Sequence, residues 1–129
     1  MSLESANNSK SIMIVDDELF FRELLRDTLT KAGFSVVAEA SSGEQALDLY
    51  RHFRPALVLM DIYMPEKNGI EATRELIALD PQVKIIICSG VGYDDDLNAA
   101  IAAGAVGVIY KPFYDEEVIE SVKSHLARP

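Results

Sequence analysis

An unbroken apolar run, Leu57 to Met60, ends in one carboxylate, Asp61, and passes at once into turn-forming residues that reach Gly69 in the stretch LVLMDIYMPEKNG. Apolar residues on both faces describe a central parallel strand covered by helices on each side. A chain that buries such a strand and then delivers an acid to its tip is narrowly constrained. Other apolar runs end in the same way. Ile12 to Val15 stops at Asp16 and Asp17, Val83 to Cys88 stops at Ser89, and Val106 to Tyr110 stops at Lys111. Where parallel strands alternate with helices, the strand C-termini share one edge of the sheet, in the crevice where open α/β sheets bind ligands. Three carboxylates, a hydroxyl and an ammonium would then share one small site.

Taken in order, the polar stretch MSLESANNSK predicts a disordered tail over residues 1–10, followed by one domain over 11–129. Ser11 to Val15 reads as the first strand. After Asp16 and Asp17 a helix follows, with Phe21, Leu25, Leu29 and Ala32 at helical spacing and Gly33 as its stop. Phe34 to Ala38 is the second strand. Ser42 with Gln45 forms a capping box for a helix that turns Ala46, Leu49 or Tyr50, and Phe53 inward, and Pro55 prevents its continuation. Ala56 to Met60 is the third strand. Asn68 with Glu71 caps a helix carrying Ile70, Thr73, Leu76 and Leu79, and Pro81 marks its exit. Val83 to Cys88 is the fourth strand and Gly90 to Tyr93 a flexible loop. A slim, alanine-rich helix from Asp94 to about Ala103 then turns Leu97, Ala100 and Ile101 inward. Val106 to Tyr110 is the fifth strand. Beyond Lys111 and Pro112, Asp115 caps a last helix with Val118, Ile119, Val122 and Leu126 inward. The pattern is five βα units without a repeat or an internal linker.

With 129 residues, 49% of them hydrophobic, the chain suffices for one self-sufficient core. Acidic residues outnumber basic ones 21 to 12, and the net charge of -9 argues against a nucleic-acid or anionic-membrane footprint. The single cysteine, Cys88, sits inside an apolar run and reads as a small buried hydrophobe. No apolar run approaches the ~18 residues of a membrane span, and the N-terminus lacks the apolar core of a signal peptide. The expected location is the cytoplasm.

Carboxylates crowded at one edge repel each other and rise in pKa unless a cation neutralises them. A hard, oxygen-seeking ion such as Mg²⁺ suits them, because it takes one or two carboxylates, keeps waters and bridges a phosphoryl group. A lysine and a hydroxyl suit the remaining phosphoryl oxygens. With no histidine, cysteine or serine arranged as an activated nucleophile, the remaining candidate is a carboxylate that forms an acyl phosphate, and Asp61 is that candidate.

The ordered motifs IMIVDDE, DIYMPEKNG, IICSG and YKPF closely resemble the receiver domain of two-component response regulators, in particular its single-domain chemotaxis members, over residues 11 to about 127. The resemblance implies a flavodoxin-like doubly wound (βα)5 sandwich, with a five-stranded parallel sheet of order 2-1-3-4-5. It implies a phosphorylation-dependent signalling switch in which Asp61 accepts a phosphoryl group from a sensor histidine kinase or phosphotransfer protein. Asp17, Asp61 and the backbone carbonyl of Tyr63 would bind Mg²⁺, with Asp16 acting mostly through water, and Ser89 and Lys111 would contact the phosphoryl oxygens. Tyr63 and Val91 fall at positions that tune phosphoryl lifetime. The family's output partner or effector domain would read the face made by the alanine-rich helix, the fifth strand and the last helix. Two positions depart from the family pattern. Val108 stands where an aromatic rotamer switch is usual, which makes Tyr110, on the same side of the strand, the candidate for readout. Ser89 replaces a threonine but keeps its hydroxyl.

Blander roles stand beside these. Asp16 and Asp17 would serve as helix caps, Lys111 as a solvated loop residue, Ser89 as a turn serine, and Tyr63 and Val91 as loop packing. His52 and His125 read as solvated surface histidines without metal spacing. Gly90 and Gly92 form a G-x-G, but Asp95 occupies the place of a third glycine, which disfavours dinucleotide binding. An aspartate-nucleophile phosphatase would use the same residue types but needs a second aspartate where Tyr63 stands. A receiver that only docks, without phosphorylation, would not need the full set of acids and the lysine. The expectation is a protein that catalyses only its own phosphorylation and dephosphorylation, and is no enzyme otherwise.

Overall fold

A computed structural model describes residues 8–90 and 94–128. Among them β1 (Ser11–Val15), β2 (Ser35–Ala40), β3 (Leu57–Asp61), β4 (Ile85–Gly90) and β5 (Gly107–Lys111) alternate with α1 (Leu19–Lys31), α2 (Gly43–Phe53), α3 (Gly69–Leu79), α4 (Asp94–Ala103) and α5 (Asp115–Leu126). All strand pairs are parallel, in the order β2-β1-β3-β4-β5. This is the flavodoxin-like doubly wound sandwich. Of the expected tail, residues 1–7 lie outside the described residues, and Asn8–Lys10 form a 3-10 turn.

Successive side chains of a strand point to opposite faces, so each strand supplies two cores. Ile12, Ile14, Leu57, Leu59 and Ile86 meet α1 and α5, through Leu25, Leu29, Val118 and Val122. Met13, Val15, Val58, Met60 and Ile87 meet α2, α3 and α4, through Ala46, Tyr50, Leu76, Leu97 and Ala100. Every residue of β1 and β3 is buried, as expected for strands covered on both sides. Each such Ile or Leu contributes about 1.5–3 kcal/mol relative to an exposed position.

β1 ends with its apolar run at Val15, but β2 to β5 end one or two residues later than theirs, and the difference matters at the tips. Asp61 is the last residue of β3, opposite Cys88, while Ser89 and Gly90 pair with Tyr110 and Lys111 inside the ladder. Ser89 is therefore a strand residue, not a loop residue. β2 runs on to Ala40 because Glu39 and Ala40 still pair with Ile14 and Val15 of β1, and the Glu39 carboxylate meets Arg22 and Arg26 of α1.

Two caps differ from expectation. Ser42 accepts from the Gln45 N–H, but the Gln45 side chain accepts from the N–H of Ser41, so the reciprocal arm of the box is displaced by one residue. Asp115 is the first helical residue of α5 and does not cap it. Its carboxylate accepts from the Thr28 hydroxyl of α1 at 3.0 Å, while Glu117 accepts from the Tyr114 N–H. Asn68 caps α3 as expected, accepting from Ile70 and Glu71 N–H. Two side chains expected inward point out. Phe53, the last residue of α2, is 41% exposed and stacks edge-on against His52, and Ile101 is 52% exposed, one helical step beyond the buried Ala100. His125 is half-buried, with its ring nitrogens facing the carbonyl oxygens of Ser121 and Val106.

Candidate functional site

β1, β3 and β5 bring their tips to one edge, and the expected acids and amine converge there. Asp61 ends β3 with its side chain only 8% exposed, and the Lys111 ammonium, from the end of β5, lies 3.7 Å from its Oδ1. The same ammonium donates to Oδ2 of the buried Asp16 at 2.8 Å and sits 4.1 Å above the centre of the Phe21 ring on α1. Lys111 thus bridges the two acids and leans toward Asp16. Asp16 is itself held at four points: Oδ1 accepts from Glu18 N–H, Oδ2 accepts from Lys111, its carbonyl accepts from Arg22, and its N–H donates to the Ala40 carbonyl.

The loop from β3 into α3 is closed by backbone approach. Gly69 N–H donates to the Ile62 carbonyl at 2.8 Å, and a Cβ on Gly69 would stand 2.1 Å from the Asp61 carbonyl oxygen. Only glycine leaves room for the first turn of α3 to press against the strand that ends in Asp61.

Burial pushes the Asp61 carboxyl up to about 6. Lys111 and the Tyr63 backbone N–H pull it down, and the nearby charges of Asp16 and Asp17 push it further up. For Lys111, burial works to lower its pKa, but the hydrogen bond to Asp16 and the charges of Asp61 and Asp16 outweigh burial and hold it above the ordinary value. Carboxylate oxygens of Asp16, Asp17 and Glu18 lie within 4.8 Å of one another, close enough to share a metal ion. Asp17 and Glu18 are exposed, and every donor in the group is a hard oxygen, which fits an alkaline-earth cation better than a soft one.

Ser89 lies in β4 with its hydroxyl fully buried and without a hydrogen-bond partner among the described residues. Leaving such a hydroxyl unpaired costs about 1–3 kcal/mol, which calls for a ligand or a second conformation. Val108 is half-buried against the core, whereas Tyr110, on the same face and paired with Ser89, is 45% exposed. Val91 lies outside the described residues. Tyr63 is 44% exposed, and its hydroxyl donates to Asp96 of α4.

Glu18, Phe21 and Arg22 belong to the site's surroundings but do not stand out from sequence. Glu18 sits within the IMIVDDE motif, and its role shows only when the strand tip turns. Phe21 reads as an ordinary inward residue of α1, and Arg22 has a signal only in its position one turn after the acids.

The chain matches the response regulator receiver domain family over residues 12–123. It is 45% identical over 113 residues to the chemotaxis protein CheY of Thermotoga maritima, a match spanning 88% of this chain and 94% of that protein. To the chemotaxis protein CheY of Bacillus subtilis it is 46% identical over 115 residues, spanning 89% of this chain and 96% of the other. Its fold superposes with a TM-score of 0.87 on the crystal structure of the CheX-CheY-BeF3-Mg complex from Borrelia burgdorferi. That match is at 28% identity and spans 92% of this chain and 90% of that one.

Proposed function

The chain belongs to the response regulator receiver domain family, and from that premise we propose that its phosphorylation-dependent switch runs on Asp61, fed by a sensor histidine kinase or a phosphotransfer protein. The observation that carries the reading is the recessed Asp61 carboxylate, at the tip of the central strand, with the Lys111 ammonium 3.7 Å away. In the transfer, an Asp61 oxygen attacks the phosphorus of phosphohistidine in line, the P–N bond breaks with its electron pair going to the imidazole, and an acyl phosphate remains. Lys111 lies where it would turn from Asp16 toward the phosphoryl oxygens and offset their charge.

Mg²⁺ fits a donor set made of hard oxygens alone. Asp17, Asp61 and the Tyr63 backbone carbonyl would hold it. Both oxygens of Asp16 already accept protein hydrogen bonds, which supports contact mostly through water. When bound, the ion supplies neutralisation of the anionic oxygens during transfer. The Ser89 hydroxyl, unpaired in its strand, would donate to a phosphoryl oxygen, and its movement would shift an equilibrium between two states separated by a few kcal/mol. Val108 and Tyr110 lie on the strand beside it as readout positions. Tyr63 and Val91 would tune phosphoryl lifetime.

The protein would act in the cytoplasm through an output partner or effector domain and catalyse only its own phosphorylation and dephosphorylation. No helix among the described residues is long and apolar enough to cross a membrane. In the phosphatase alternative a carboxyl must stand at position 63 as general acid. Tyr63 there, its hydroxyl given to Asp96, favours the switch. A receiver that only docked would have no use for a recessed acid paired with a lysine. Incubation with Mg²⁺ and a small acyl phosphate should place one hydroxylamine-sensitive phosphate on the wild type and none on a folded Asp61→Asn variant. Equal labelling of both would overturn the assignment, and continuous turnover of the donor would favour the phosphatase.

A further inference from the structure

Tyr63 makes a contact that phosphoryl transfer itself does not use. Its backbone N–H is hydrogen-bonded to Asp61, while its hydroxyl donates to Oδ2 of Asp96, 33 residues away in the first turn of α4. The side chain therefore reaches from the tip of β3 to the helix that follows β4, along the edge where Asp61 ends its strand. α4 packs against α3. Leu97 and Ala100 are its buried apolar side chains among the described residues, and Ile101 turns outward. Chain connectivity ties α4 to the Ser89 end of β4, and the Tyr63–Asp96 bond ties it to the Asp61 end of β3.

We propose that Asp96 is a positioning residue for phosphoryl turnover: by accepting from Tyr63 it holds the phenol ring across the solvent approach to Asp61 and slows hydrolysis of the aspartyl phosphate. The proposal rests on Asp61 being the phosphoacceptor. In the hydrolysis a water oxygen bonds to phosphorus and the P–O bond to Asp61 breaks with its electron pair returning to the carboxylate. The water's proton passes to phosphate or bulk solvent. Asp96 touches none of these atoms. It acts through the ring, and displacement of the first turn of α4 releases that ring.

The test is the rate of phosphate loss from protein labelled with a small acyl phosphate and Mg²⁺, after the donor is removed by desalting. Tyr63→Phe, which keeps the ring but loses the donor, and Asp96→Ala, which loses the acceptor, should each speed the loss by roughly threefold to tenfold. The double variant should be no faster than the faster single one. Asp96→Asn retains an acceptor oxygen and should stay near the wild-type rate, which a merely structural role for the charge would not produce. Thermal unfolding of each variant separates these effects from misfolding. Rates unchanged by Asp96→Ala, or single effects that multiply in the double variant, would overturn the proposal while leaving Asp61 as acceptor. A wild type that takes up no phosphate would overturn the acceptor itself and the proposal with it.

Discussion

Two polar arrangements sit at opposite edges of this sheet, and each is decided by which partner reaches a carboxylate. At the strand tips, Lys111 shares itself between Asp16 and Asp61, and Asp61 is left high because burial and two like charges exceed what one ammonium returns. At the other edge, the Tyr50 hydroxyl donates to Asp80 at 2.7 Å, with the Gln82 N–H and the Arg54 guanidinium nearby, and these together hold the Asp80 carboxyl below its ordinary value. Burial and the Asp80 charge hold the Tyr50 hydroxyl above its own. A lowered folded pKa means that the stability Asp80 contributes is present above the ordinary aspartate value near 4 and is lost as pH falls through the folded value. Tyr50→Phe should therefore cost about 1 kcal/mol at pH 7. In urea melts at pH 7, 4 and 3 the gap to wild type should narrow at the acid end. A gap that widened there would reverse the assigned sign. Asp16, Asp61 and Lys111 were legible because each interrupts an apolar run. The Tyr50–Asp80 and Tyr63–Asp96 pairs were not, because each joins residues about thirty positions apart on different elements and neither leaves a periodic trace.

At the scale of elements, apolar runs gave the strands but blurred their ends, because pairing continues as long as a backbone partner exists. Ser89 and Gly90 stay in the ladder opposite Tyr110 and Lys111 although neither is apolar. Helix faces were legible where large residues recur, as with Leu25 and Leu29. They were misread in α4, where alanines dilute the pattern and Ile101 looks inward at i+4 from Leu97 but lies beyond the stripe. α3 joins β3 closely, where Gly69 presses on the Asp61 carbonyl. A methyl group there meets backbone, which cannot swing aside like a side chain. Gly69→Ala should accordingly displace the α3 start or the β3 tip and destabilise the fold by about 1–3 kcal/mol. Because the strain falls on Asp61, phosphorylation should slow more than stability alone accounts for, as read by labelling at a temperature where the variant is fully folded. Wild-type labelling in a destabilised variant would show that the strain relaxes away from Asp61.

For the molecule as a whole, a net charge of -9 places Asp16, Asp17, Glu18 and Asp61 in a field that already disfavours further negative charge. An ion that binds the folded site and not the unfolded chain stabilises by mass action, roughly 2.7 kcal/mol at a hundredfold excess over its Kd. For a domain of this size that is a rise in Tm of roughly 10 °C. MgCl₂ should therefore raise Tm well beyond NaCl at equal ionic strength, since bulk screening acts on all the charges while site binding acts only on this corner. Asp17→Asn should raise Tm in the absence of the divalent ion, by removing a like charge beside Asp61, and should shrink the further rise that MgCl₂ produces. These two shifts have opposite signs in one variant, which general screening cannot reproduce. A melting temperature that followed ionic strength alone in both proteins would rule out a divalent ion at the strand tips and leave Lys111 as their counter-charge.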